Sequence, residues 1–99
     1  MRTDDAASLR YLVEWYTPHL RGRPIAEVAQ SLRRSLAALP VAAHPLELLY
    51  ALEVPQDHYA FGVFTAESAN AVALVCEQAG LPADRVSSAV EAVTEDHAE

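Results

Sequence analysis

The stretch Leu46-Glu47-Leu48-Leu49-Tyr50-Ala51-Leu52-Glu53-Val54-Pro55-Gln56-Asp57-His58-Tyr59-Ala60-Phe61-Gly62-Val63-Phe64 decides how this chain is read. Leu46, Leu48, Tyr50 and Leu52 alternate with Glu47, Leu49, Ala51 and Glu53, the period of a strand. The first set is expected to face the rest of the core. Pro55, second in Val54-Pro55-Gln56-Asp57, suits a type I turn. Tyr59 to Phe64 is apolar on both faces, as in a central strand. Residues 46–54 and 58–64 therefore read as a hairpin.

Outward from the hairpin the period changes. Before it, Ile25, Val28, Ala29, Leu32, Leu36 and Leu39 recur at spacings of three and four, with Glu27, Gln30, Arg33 and Arg34 opposite. That predicts an amphipathic helix over 25–39, opened by Pro24 and stopped by Pro40. After it, Ser68 is a good N-cap, Val72, Val75, Cys76 and Ala79 form a buried stripe, and Gly80 with Pro82 ends the element. That predicts a second helix over 68–79. Residues 10–16 alternate as a first strand and 86–93 read as a last one. The order strand, helix, strand, strand, helix, strand is that of the ferredoxin-like βαββαβ unit, an α+β fold. Right-handed crossovers place the strands in the order 4-1-3-2, antiparallel, with both helices on one face. The other face is left open. It is expected to expose Leu12, Tyr16, Leu49 and Ala51, a patch that marks an interface or a groove and that a face-to-face homodimer would cover.

The 99 residues allow one domain: a disordered start at 1–9, the ferredoxin-like domain at 10–93 and an acidic tail at 94–99. Hydrophobic content of 52% is that of a globular chain, and a formal charge of −7 argues against nucleic acid as a partner. No apolar run is long enough to span a bilayer, and Met1 to Asp5 opens no signal peptide. A lone cysteine, Cys76, excludes an internal disulfide and fits the reducing cytoplasm.

Two stretches carry a family likeness: Tyr11-Leu12-Val13-Glu14 with Pro18 after it, and Ala66 to Val86, which contains Ser68-Ala69-Asn70-Ala71-Val72 and Ala79-Gly80-Leu81-Pro82-Ala83-Asp84-Arg85-Val86. Together they resemble a family of small bacterial ferredoxin-like proteins of unknown function, one branch of which is nickel-binding and nickel-responsive. The resemblance covers roughly residues 10–93. It implies a ferredoxin-like fold, a homodimer, and nickel or another divalent metal as the ligand. The Ala79–Val86 run is its most specific part, and it encodes a helix end, a turn and the start of a strand.

Few residues offer chemistry. Glu14 lies mid-strand on the open face with Tyr16, and Glu91 on the last strand is expected to approach it. Two carboxylates in a partly dry groove would raise one pKa or bind a cation. The alternative is that Glu14 pairs with an arginine across a dimer interface. Asp57 and His58 could supply oxygen and nitrogen to a divalent metal, with His19 or His44 nearby, although neighbouring strand residues point to opposite faces. The histidine spacing matches no zinc signature. Cys76 reads as a small core residue. Trp15, Tyr11, Tyr59 and Phe61 read as core or interface aromatics, or as the wall of an aromatic or haem pocket. Phosphate-loop, H-E-x-x-H, C-x-x-C and nucleophile-elbow patterns are absent from the sequence.

These features lead to a small dimeric ligand-binding protein, with a divalent metal as one ligand, rather than a catalyst. The alternatives are a cofactor-independent monooxygenase- or isomerase-like enzyme of the dimeric α+β barrel type, or a purely structural dimer module.

Overall fold

The computed structural model describes residues 9–40, 45–90 and 92. Its elements are β1 (Leu9–Tyr16), a 3-10 turn (Thr17–Leu20), α1 (Ile25–Ala37), β2 (Glu47–Val54), a 3-10 turn (Pro55–Asp57), β3 (Tyr59–Ala66), α2 (Ala69–Gln78) and β4 (Arg85–Ala89). The strands form one sheet in the order β2-β3-β1-β4, with every pair antiparallel. This is the ferredoxin-like α+β arrangement.

The helices form where the periodicity places them. Pro24 precedes the first turn of α1 with a φ of −68°, and Val28 and Leu32 are its fully buried residues. Leu36 is only half-buried, and Leu39 packs on the core from just beyond the helix end. The Ser68 side chain accepts the Ala71 N–H at 3.2 Å, which satisfies one of the free donors at the start of α2. At the other end Gly80 is left-handed at φ 76°, and the Leu81 N–H donates back to the Cys76 carbonyl at 2.9 Å. This hydrogen-bonded reversal closes the helix, and Pro82 prevents its continuation.

The core lies between the helices and one face of the sheet. Tyr11, Val13 and Trp15 alternate into it from β1, and Ala60, Phe64 and Ala66 from β3. Trp15 is fully buried, and its indole N–H donates to the Leu81 carbonyl at 2.9 Å. Gly62 makes room for it. A Cβ there would stand 3.0 Å from Trp15 Cη2 and 3.2 Å from Cζ3, closer than side chains normally pack.

Two expectations are corrected. Strand β2 does not hold one phase. Its pairing steps from Leu48 opposite Phe64 to Tyr50 opposite Val63, so Leu49 is an extra residue in a β-bulge. An odd insertion flips every later side chain. Leu46 and Leu48 face the helices as expected, but Tyr50 and Leu52 emerge on the bare face and Ala51 turns to the Gly62 side. Ala51 is therefore not an open-face residue; Tyr50 and Leu52 are. Strand β4 also ends at Ala89, which pairs with Arg10, and Val90 is already out of the sheet; residues 91 and 93 of the expected 86–93 strand lie outside the described residues. Val90 is fully exposed beyond it.

Candidate functional site

Beyond a polar row of Glu47, Thr65, Arg10 and Ala89, the bare face of the sheet follows from the register in three further rows. Tyr50, Val63, Leu12 and Ser87 form the first, and Leu52, Phe61, Glu14 and Arg85 the second. Val54, Tyr59 and Tyr16 form the third, at the end where β1 and β2 finish and β3 begins. Tyr16, Tyr50, Leu52 and Tyr59 are each at least 37% exposed, on a surface with no described helix over it. Glu14 is the acidic residue within these three rows. Its Oε2 stands 3.9 Å from Arg85 Nε, with the glutamate side chain 23% exposed and the arginine 69%. The carboxylate thus has a cation beside it from the neighbouring strand of the same chain. The register sets Arg85 opposite Glu14; Glu91, the carboxylate expected to approach Glu14, lies outside the described residues.

At the third row the sequence reading missed a residue, Asp84. It sits in the loop between α2 and β4, and its own N–H donates to the Glu14 carbonyl at 2.9 Å. Its carboxylate reaches two further groups. Oδ2 accepts the Tyr16 N–H at 2.7 Å, and Oδ1 holds His19 Nδ1 at 2.9 Å. His19 is placed by the 3-10 turn that Pro18 opens and buried Leu20 anchors. The Tyr16 and His19 rings meet edge to face with centroids 5.2 Å apart. The contacts continue from Tyr16 to Tyr59 at 5.7 Å and from Tyr59 to Phe61 at 6.2 Å. Four rings therefore run along one end of the bare face. The signal for Asp84 was present, an acid just before a strand in the Ala79–Val86 run, but its partners are 65 and 68 positions away.

The remaining candidates are less gathered. Asp57 and His58 are exposed on the hairpin turn, and His58 is left-handed at φ 60°. The His58 carbonyl accepts the Thr17 N–H at 2.9 Å, so the backbone of this turn lies beside the turn that carries His19. His44 lies outside the described residues. Among the described residues, no three His, Cys, Asp or Glu side chains form a group able to hold a metal ion. Within the described residues His19 Nδ1 is engaged by Asp84, whereas borderline metals favour several imidazole or thiolate donors. Cys76 is fully buried, and desolvation pushes its thiol pKa up to about 12, so it is held as an unreactive thiol.

Two clefts open on the other side of the sheet, on either side of Leu46. One, of about 330 Å³, lies between Arg33, Leu36 and Leu48; the other, of about 260 Å³, lies between Leu39, Ala71 and Leu74. Both are lined mainly by apolar side chains and flank the strand that follows residues 41–44, which lie outside the described residues. Neither gathers the convergent polar groups of a binding site.

No family model matches the sequence, and no curated protein matches it. Among solved structures, the crystal structure of SCO4226 from Streptomyces coelicolor A3(2) is similar: 20% identical, with a TM-score of 0.64, over 85% of this chain and 99% of that one. The likeness supports the ferredoxin-like fold across nearly the whole of the other protein. No described helix is long and apolar enough to cross a membrane.

Proposed function

We propose that the protein is a homodimer joined through the bare faces of its sheets, and that it binds a small ligand at the edge of that interface, beside Glu14 and Tyr16. The observation that supports this most is the uncovered face itself, where Leu12, Val63, Phe61, Leu52 and Tyr50 stand together. Leaving such a contiguous apolar surface in water is unfavourable, and large ones mark interaction sites. A second copy suits it electrostatically. The chain carries a net charge of −7, yet on the bare face Glu14 is balanced by Arg85, and Glu47 shares its row with Arg10. Two copies can therefore approach through this face with little like-charge repulsion. Sheets stack at about 10 Å, and a stable interface of this kind buries roughly 1,600 Å² in total.

The bound species is a small molecule rather than a metal on the donors of one chain. A divalent ion such as nickel would need His19, His58 or Asp57 contributed by both copies. Native mass spectrometry of untagged protein tests subunit number and cargo together. The expected result is a dimer that carries a discrete added mass or accepts one on ligand screening. A bare monomer that accepts nothing would contradict the proposal.

A further inference from the structure

We infer that the end of the bare face at Tyr16 is a binding site for a phenol, a planar aromatic ring carrying a hydroxyl donor, with His19 Nε2 as the hydrogen-bond acceptor. This names a ligand class for the site proposed above and rests on the ligand-binding reading. It uses residues of one chain and does not depend on the dimer.

The argument starts at Asp84. An ionised carboxylate only accepts hydrogen bonds, so its contact with His19 Nδ1 at 2.9 Å places the Nδ1 proton between them. In the neutral imidazole the lone pair then falls on Nε2. Among the described residues Nε2 has no hydrogen-bond partner. Asp84 cannot swing away easily. Its other oxygen accepts the Tyr16 N–H at 2.7 Å, and its own N–H is held by the Glu14 carbonyl at 2.9 Å. The acceptor is thus set in orientation before any ligand arrives, and such preorganisation lowers the cost of binding.

The aromatic residues define the rest. Tyr16 meets the His19 ring edge-on, Tyr59 follows at 5.7 Å, and Phe61 lies nearly parallel to Tyr59 at 26°. Tyr16 and Tyr59 stay 40% and 37% exposed, which leaves ring surface for one more ring. Aromatic rings associate at centroid distances of about 4.5–7 Å, offset or edge-on. A flat ring against this row brings its hydroxyl within reach of an acceptor on the same row. An aliphatic alcohol would lack the stacking, and an aromatic ether would lack the donor. Because the third row ends the sheet, the site lies at the rim of a sheet-to-sheet dimer rather than beneath it.

The test uses 4-methylphenol, which keeps its hydroxyl proton at neutral pH, as probe and 4-methylanisole, which has no donor, as its control. Binding is followed by chemical-shift titration of the probe's ring protons and by the long-range proton–nitrogen spectrum of the histidines. Saturable binding of 4-methylphenol is expected, with a shift of the His19 Nε2 resonance, and 4-methylanisole should bind at least tenfold more weakly without that shift. His19→Phe keeps a ring and removes the acceptor, so it should lose at least tenfold in affinity for 4-methylphenol, while His58→Ala should bind as wild type. Failure of 4-methylphenol to saturate the wild-type protein would overturn the inference. So would equal binding of the two probes to it, a comparison that needs no variant to fold. Neither result would bear on the dimer, which the subunit mass tests separately.

Discussion

The two faces of the sheet are built from alternate residues of the same strands, and they have opposite fates. On one face Val13, Trp15, Ala60 and Phe64 are fully covered by α1, α2 and the loop around Leu81. On the other Leu12, Phe61, Val63 and Tyr50 are nearly as apolar and have no described helix above them. Hydrophobicity alone does not separate the faces; the crossover handedness does, by sending both helices to one side. The covered face is specified by shape, with Gly62 flat beneath the Trp15 ring. The bare face is specified by surface chemistry, an apolar field holding the Glu14–Arg85 pair, with the polar row of Glu47, Thr65 and Arg10 at one end and a row of rings at the other. One face holds the fold together; the other is the face proposed to meet a second copy.

That contrast is sharpened most by Trp15→Ala, which should destabilise the fold by about 3–5 kcal/mol, the usual cost of emptying a large aromatic site. Thermal or denaturant melts would measure it. Gly62→Ala should cost about 1–3 kcal/mol by forcing a methyl against the indole. An equal or lower cost than for Ala60→Gly in the same strand would break the shape argument. On the bare face, Leu52→Glu should leave the protomer's fold intact and abolish self-association. If it unfolded the chain instead, the two faces would not differ in role.

Smaller effects follow at the margins. Asp84→Ala removes the acceptor of the Tyr16 N–H and of His19 and should cost about 1 kcal/mol, since the group is partly solvated. Amide exchange at Tyr16 should quicken. The Cys76 thiol gives a pH dependence of known sign. Its folded pKa, about 12, lies above the unfolded value of 9.0, so the unfolded chain loses its proton first. This contribution is fully present below pH 9 and is lost as pH rises towards about 12. Cys76→Ser should flatten the decline in that window, and alkylation of native Cys76 should be slow until the chain unfolds.

The covered face was legible in the sequence to a degree that the bare face was not. Val28, Leu32, Val72, Val75 and Cys76 repeat at helical spacing, and their burial follows directly. Strand β2 was misread past Leu48 because Leu48-Leu49-Tyr50-Ala51-Leu52 is apolar in both phases, so alternation could not reveal the bulge. The error moved Tyr50 and Leu52 to the wrong side. Glu14 lies on the open face, as its alternation with Val13 and Trp15 implies, but that Arg85 stands opposite it depends on register and not on spacing. Asp84 escaped because all three of its bonds cross between β1 or its turn and the loop before β4.

Sedimentation velocity at micromolar concentration tests the central proposal most directly, that the bare face is covered by a second copy. The account predicts a species of twice the 10.8 kDa chain mass for the wild-type protein and of the single chain mass for a folded Leu52→Glu variant. A wild-type protein that sediments as a folded monomer of 10.8 kDa would contradict it.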